Sequence, residues 1–152
     1  DLVYDLQEKY DTSFLWVTHD MGIVAEICDR VNVMYLGEVI ERAGVDDLFY
    51  DPQHPYTRAL LDSIPRPNQT VEELRPLEGS MPEAIDPPSG CRFHDRCPDA
   101  REVCAQKHPD LRQVTEQGQW AACLKHDAFG TAYDTSAELD PDRVQKAGGT
   151  NE

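Results

Sequence analysis

The chain has 152 residues, enough for a domain with a hydrophobic core, and carries 29 acidic against 14 basic residues, a formal net charge of −15. This charge argues against nucleic acid as a partner, because phosphate contacts require clustered lysine and arginine. We find no run of 18 apolar residues that could cross a membrane, and no basic start followed by an apolar leader.

The acidic character comes with few lysines. The chain has 17 aspartates but only four lysines. This bias is typical of proteins that stay soluble in concentrated salt, where screening weakens the self-repulsion of a large net charge. We therefore expect a halophilic archaeal source, with an ordinary acidic cytosolic protein as the alternative.

The first two predicted elements are a helix and a strand. Apolar residues at the start recur at helical spacing, which predicts an amphipathic helix (Leu2, Val3, Leu6 and Tyr10). Phe14–Val17 is a continuous apolar run, typical of a strand that is buried on both faces of a parallel sheet. A sequence that opens within a helix pattern also indicates a fragment.

A second helix and a hairpin follow. Asp20 stands where it can cap a helix whose apolar face is formed by Ile23, Val24 and Ile27. The stretch VNVMYLGEVIER predicts two short strands joined at Leu36-Gly37-Glu38. Helix, strand, helix and hairpin together indicate the end of an α/β domain whose first strands lie upstream.

The later part of the chain changes character. Two short helices are predicted on either side of the sequence DPQHP. Six prolines between residues 65 and 89 predict an extended linker. Residues 128–152 are polar and lack periodicity, which predicts a disordered acidic tail.

His19 directly follows the predicted buried strand. In open α/β sheets, ligands bind beyond the carboxyl ends of the strands, so this position favours a functional histidine. The alternative is a surface or helix-capping histidine.

Four of the five cysteines lie close together, with the spacing C-x5-C-x6-C-x18-C: Cys91, Cys97, Cys104 and Cys123. Without a secretion signal, a disulfide framework is not favoured. The surrounding sequence is too polar to form its own core, and a metal centre is one way to stabilise such a segment. Cys28 lies in a helical pattern and is interpreted as a core thiol.

The metal is left open by the spacing. Structural zinc sites draw cysteines in pairs two to four residues apart, which these gaps do not match, although His94, His108 or His126 could join a zinc site. Four thiolates on irregular loops also suit an iron–sulfur cluster. Free thiols are the remaining alternative.

Several motifs together carry a family resemblance. The stretch FLWVTHDMGIVAEICDRVNVMYLGEVIE closely resembles the switch-histidine region of ABC-transporter ATPases. His54-Pro55-Tyr56 matches the His-Pro-Tyr stretch in the C-terminal extension of oligopeptide/dipeptide-importer ATPases, a subgroup of that family. The segments PPSGCRFHDRCPDAREVC and WAACL match the four-cysteine pattern of the same importers.

The resemblance implies a fold class and a domain division. The fold is expected to be α/β, with residues 1–44 as the C-terminal piece of an ABC-type P-loop ATPase domain. Residues 45–127 are expected to be the small irregular cysteine-rich extension, and residues 128–152 the tail.

The resemblance also implies roles for individual residues. His19 would contact the γ-phosphate of ATP and help to hold the attacking water, and Asp20 would cap the next helix and contact the neighbouring subunit. The four cysteines would bind a [4Fe–4S] cluster, as in some members, with zinc as the alternative. ATP and Mg²⁺ would be cofactors of the full-length subunit. Because the sequence contains no phosphate loop, ABC signature or Asp-Glu pair, the chain alone is expected to be inactive.

The implied function is that of the ATP-hydrolysing subunit of a di- or oligopeptide importer, peripheral to the cytoplasmic face of the membrane. Its partners would be a second ATPase subunit, identical or different, the transmembrane permease subunits and, indirectly, an extracellular solute-binding protein. One alternative is an importer ATPase for nickel or another small solute. The other is a stand-alone metal-binding or interaction module.

Overall fold

The structure is a computed structural model that describes residues 2–64 and 87–126. The helices are α1 (Leu2–Tyr10), α2 (Met21–Ile27), α3 (Val45–Tyr50), α4 (Pro55–Asp62) and α5 (Glu102–Gln106). The strands are β1 (Arg30–Tyr35), β2 (Glu38–Gly44), β3 (Arg112–Gln113) and β4 (Trp120–Ala121), and two 3-10 turns cover His94–Arg96 and Leu124–His126. The predicted tail and most of the predicted proline-rich linker lie outside the described residues.

Strands β1 and β2 form the predicted antiparallel hairpin. Its turn residues Leu36 and Gly37 both have positive φ, +46° and +82°. Two such residues characterise the tight turn whose twist matches that of the paired strands, and glycine adopts this conformation without strain.

The hairpin is extended by two short strands from far along the chain. Glu41 of β2 lies opposite Ala121 of β4, and β4 in turn pairs with β3, so that the antiparallel sheet has the order β1-β2-β4-β3. The described helices and this sheet confirm an α/β fold at the level of class. The predicted hairpin and the predicted cysteine-rich extension therefore share one sheet, while the boundary at residue 44 stays a prediction.

The core lies between the hairpin, α3 and the segment after Gly90. Its buried members are Val33, Tyr35, Ile40, Ala43, Leu48 and Phe93. The ring of Phe93 meets those of Tyr35 and Tyr56 edge-on, with centroid distances of 5.4 Å in both cases. Such edge-to-face pairs add to the stabilisation from burial alone. This aromatic group fastens the cysteine-rich segment to the hairpin and to α4.

Helix α2 is capped by Asp20, and α1 contacts α2 through the side chain of Tyr4. The Asp20 carboxylate accepts hydrogen bonds from the N–H groups of Gly22 and Ile23 at 2.9 and 3.2 Å, which confirms the predicted cap of α2. The Tyr4 hydroxyl donates to the Glu26 carbonyl oxygen across α1 and α2 at 2.9 Å. None of the helices in the described residues is long and apolar enough to cross a membrane.

The predicted strand over Phe14–Val17 is wrong for the chain as described. The segment forms no strand, and Leu15 and Val17 are 90% and 94% exposed. A buried strand needs hydrogen-bonding neighbours at its edges and covered faces, and every described strand belongs to the separate antiparallel sheet. The apolar run therefore lies in solvent as an extended segment.

Candidate functional site

His54 begins the matched His-Pro-Tyr stretch and is almost completely buried, with 1% of its surface exposed. Its Nδ1 accepts the N–H of Tyr56 at 3.0 Å, which caps α4, and Pro55 occupies the first turn. The imidazole also shares a hydrogen bond with the backbone of Ala122. Burial, followed by the charges of Lys125 and His126, lowers the pKa of His54 to about 3, so the ring is neutral at pH 7.

Glu41 fixes the loop that leads into His54. One carboxylate oxygen accepts the N–H of Gln53 at 2.6 Å and the other accepts the N–H of His54 at 2.9 Å. The residue is fully buried in β2, and burial raises the pKa of its carboxyl while these two N–H groups oppose the rise. Glu41 thus connects the hairpin to the His-Pro-Tyr stretch, which the sequence did not indicate.

The four predicted ligand cysteines are brought together. Cys91, Cys97, Cys104 and Cys123 are free, half-buried thiols that line one cavity, here called the cysteine cavity. Burial raises the pKa of Cys91, of Cys123 and of Cys97, the last to about 11, and neighbouring thiols add to each rise. Burial therefore favours the neutral form of these three thiols.

Three of these cysteines occupy the same kind of turn. The sulfurs of Cys91, Cys97 and Cys123 accept the backbone N–H of the residue two positions later. Their carbonyl oxygens accept the N–H of the residue three positions later, at 3.0 to 3.1 Å. We call these the three cysteine turns. Because an N–H donor stabilises a sulfur anion, each turn is arranged to support a metal-bound thiolate.

Cys104 is held differently. It lies in α5, and its carbonyl oxygen accepts the N–H of Cys91 at 2.7 Å. The close approach depends on Gly90, which has a φ of +69° and on which a Cβ would stand 2.3 Å from the Cys104 carbonyl oxygen. The absence of a side chain at Gly90 therefore allows the backbone of Cys104 to lie against the segment that contains Cys91.

Basic side chains border the same cavity. Lys125 and Arg101 line it, together with the single carboxylate of Asp99. The Lys125 charge also lowers the pKa of Cys123, against the dominant effect of burial. Positive charge of this kind would offset the negative charge of a four-thiolate site.

The described residues form no ready site for a single metal ion. Within residues 2–64 and 87–126, no three His, Cys, Asp or Glu side chains converge closely enough to hold one metal ion. His94, one of the candidate histidines, lines the cysteine cavity, with its Nδ1 2.8 Å from the Cys91 carbonyl oxygen. The other two bond elsewhere, His108 to Glu38 and the Gly90 carbonyl and His126 to the Gln53 carbonyl. Sulfur ligands of one zinc ion would all have to lie at about 2.3 Å from it.

The residue types present also suit an iron–sulfur cluster. Four thiols line a common cavity, and three of them accept backbone N–H groups. Iron–sulfur clusters take cysteine thiolates as ligands and are tuned by N–H···S hydrogen bonds. The residues present are therefore compatible with the cluster, whose presence stays a prediction.

His19 lies apart from the cysteine cavity. It is exposed in the segment between the apolar run and α2, and it is not among the residues that line the cavity. The two sites indicated by the sequence are thus separate, and the role of His19 stays a prediction.

A family model identifies the class of protein to which the chain is similar. Residues 40–104 match the family model described as "Oligopeptide/dipeptide transporter, C-terminal region", which includes Glu41, His54 and three of the four cysteines.

Individual relatives are similar over most of the chain. The putative peptide import ATP-binding protein of Brucella ovis is 45% identical over 126 residues, 82% of this chain and 39% of the relative. The oligopeptide transport ATP-binding protein AppD of Bacillus subtilis is 44% identical over 130 residues, 86% of this chain and 39% of the relative. The dipeptide transport ATP-binding protein DppD of the same organism is 45% identical over 109 residues, 72% and 32% respectively.

These matches confirm the expected resemblance to the C-terminal part of an oligopeptide/dipeptide-importer ATP-binding subunit. The chain spans about 39% of the length of the first curated relatives that it matches. The halophilic archaeal source stays a prediction.

Proposed function

We propose that this chain is the C-terminal part of the ATP-hydrolysing subunit of an importer for di- or oligopeptides. The observation that carries the proposal is the 45% identity to a peptide import ATP-binding protein, which extends over 82% of the chain. In this role the protein is peripheral to the cytoplasmic face of the membrane. It pairs with a second ATPase subunit and with transmembrane permease subunits.

Two structural features support the assignment of residues 1–44 to a P-loop ATPase domain. The exposed apolar run Phe14–Val17 has the composition of a strand that other strands of a parallel sheet would cover. The Asp20 cap fixes the backbone directly after His19, which supports a defined position for this residue between the apolar run and α2. ATP and Mg²⁺ supply the phosphoryl chemistry, and His19 contributes by positioning the γ-phosphate and the attacking water.

A chimera tests this function. The matched part of Bacillus subtilis AppD is replaced by this chain, and the purified chimera is assayed for ATP hydrolysis and, with its permease, for peptide uptake. We expect hydrolysis close to that of AppD. His19→Ala should lower kcat by about 100-fold, as is usual when a group that stabilises the transition state is removed.

His108→Ala is the matched control, because in the described part of the chain this half-exposed histidine bonds to Glu38 and the Gly90 carbonyl and to no residue of the His19 segment. It should leave kcat unchanged. A chimera that is folded but hydrolyses no ATP would contradict the proposal and favour a stand-alone metal-binding module. Hydrolysis by His19→Ala at the rate of the parent chimera would contradict the role of His19.

We further propose that Cys91, Cys97, Cys104 and Cys123 hold a [4Fe–4S] cluster. When bound, the cluster supplies a covalent cross-link between four segments and a redox-active group. The three cysteine turns orient three thiolates by N–H···S hydrogen bonds, and Lys125 and Arg101 reduce the accumulated negative charge.

Anaerobic reconstitution of the 152-residue chain with iron and sulfide tests the cluster. We expect about four iron and four sulfide per chain, with the broad visible absorption of sulfur-to-iron charge transfer. Cys97→Ala should lose both, and Cys28→Ala, the control outside the cavity, should retain both. Stoichiometric zinc without iron in the protein as isolated would contradict the proposal.

A further inference from the structure

We infer that Cys104 is the exchangeable thiolate of the four-cysteine site, the one that an external thiol can replace while the other three stay in place. This inference rests on the proposed cluster. The replacement exchanges one thiolate for another, so it needs no oxidant or reductant.

The three cysteine turns are anchored in the body of the molecule. Cys91 and Cys97 pack against the hydrophobic core on either side of the buried Phe93. Cys123 stands between the buried residues Ala122 and Leu124, directly after β4. To release any of these sulfurs, the chain would have to disturb the core or the sheet.

Helix α5 has no comparable anchor. None of its five residues is buried, and Val103, next to Cys104, is 40% exposed. Among the described residues, α5 contacts residues 89–91 through the Cys91 N–H bond to the Cys104 carbonyl, a bond from the Ser89 hydroxyl to the Ala105 carbonyl at 3.0 Å, and the close backbone approach of Gly90. These contacts leave no residue of α5 buried.

The difference in anchoring predicts different opening energies. Segments with few buried apolar contacts unfold locally at lower free energy than segments in the core. Opening of α5 would withdraw Cys104 and leave Cys91, Cys97 and Cys123 with their N–H donors intact. The site would then be accessible from the side of α5 to a small thiol.

Alkylation kinetics of the cluster-loaded 152-residue chain test the inference. The chain is treated anaerobically with iodoacetamide, and the modified cysteines are identified by mass spectrometry over time. We expect Cys104 to react at least about tenfold faster than Cys91, Cys97 and Cys123, which corresponds to about 1.4 kcal/mol in opening free energy. Cys28, a half-buried thiol outside the cavity, provides the reference rate.

Iron retention gives a second measurement. Cys104→Ala should keep most of its iron after gel filtration, and should regain the wild-type absorption when 2-mercaptoethanol is added. Cys97→Ala should lose its iron under the same conditions. If Cys104→Ala does not fold, the alkylation rates of the wild type decide alone.

Failure of the exchangeable role of Cys104 and failure of the cluster proposal give different results. Equal alkylation rates at all four positions in a loaded wild-type chain would overturn the exchangeable role of Cys104 and leave the cluster intact. A wild-type chain that binds no iron after reconstitution would overturn the cluster proposal, and the inference with it.

Discussion

Glu41 and His54 are two ionisable residues that the fold buries next to each other. Burial raises the pKa of Glu41 and lowers the pKa of His54, so it favours the neutral form of both side chains. Both side chains bond to the backbone: Glu41 accepts from Gln53 and His54, and His54 accepts from Tyr56. A side-chain hydrogen bond with Thr57 also opposes the rise in the pKa of Glu41. The pair therefore acts as a structural joint between β2 and α4.

The low pKa of His54 should make the free energy of unfolding depend on pH. Because the pKa of His54 is about 3 in the folded chain against 6.5 in the unfolded chain, only the unfolded chain binds a proton between these values. Acidification through this window therefore lowers the free energy of unfolding, by up to about 1.4 kcal/mol per pH unit. Between pH 6.5 and pH 5, urea unfolding should show a loss of up to about 2 kcal/mol relative to His54→Asn.

His54→Asn is the matched variant because asparagine retains a helix cap but has no titrating ring. It should cost about 2–3 kcal/mol at pH 7.5, where the loss of the buried ring and its hydrogen bonds dominates. Since Glu41 is present in both proteins, its own titration cancels in the comparison. Parallel pH profiles for the two proteins would show that His54 does not titrate as described.

At the scale of elements, α5 and the turn at Gly90 depend on each other. The left-handed backbone of Gly90 brings the chain within contact of the Cys104 and Ala105 backbone. The Arg92 guanidinium then bonds to the Leu36 carbonyl and pairs with Glu38 at 2.7 Å. One short segment thus connects α5 to the hairpin turn.

Two glycine substitutions should distinguish the cost of backbone strain at positive φ from the cost of a steric clash with neighbouring atoms. Gly90→Ala places a Cβ against backbone atoms in addition to the positive φ, and we expect a loss of at least about 3 kcal/mol. Gly118 has a φ of +91° but no atom within 4 Å of an added Cβ, so Gly118→Ala should cost about 1–2 kcal/mol. Urea unfolding of both variants measures the difference, and equal losses would show that the contact at Gly90 can relax.

At the scale of the whole molecule, the net charge of −15 acts on every residue. Self-repulsion of this size destabilises a compact chain, and salt screens it over about 10 Å at 0.1 M. We expect the Tm to rise by several degrees between about 0.1 M and 2 M KCl. Sucrose at equal osmolality is the control for solute exclusion. A Tm that is insensitive to KCl would contradict the prediction.

The local elements could be predicted from the sequence because their signals are local. Leu36-Gly37 indicates the hairpin turn and Asp20 the start of α2, and both are found where expected. The two short helices around DPQHP are also found, with α4 starting one residue earlier than predicted, at Pro55. The predicted strand over Phe14–Val17 failed because a strand depends on neighbours that its own residues do not specify.

The contacts between segments that are far apart in the sequence could not be predicted. Strands β3 and β4 have two residues each and no alternating pattern; β4 forms by pairing with β2, and β3 by pairing with β4. The four cysteines were identified as a set by their spacing and then by resemblance, but the three cysteine turns depend on backbone conformation that the spacing does not encode. The burial of Glu41 had one available signal, its position directly after the apolar residues Val39 and Ile40 in a predicted strand.

The pairing of β2 with β4 has a consequence for the order of events during synthesis. His126 bonds to Gln53, 73 positions earlier, and closing a loop of that length costs about 4 kcal/mol of chain entropy. A ribosome releases the hairpin, α3 and α4 long before Trp120 and Cys123 can reach them. Three of the four thiols therefore wait in an incomplete site until Cys123 has been synthesised and has left the ribosome, so a metal centre that uses all four can be loaded only after that point.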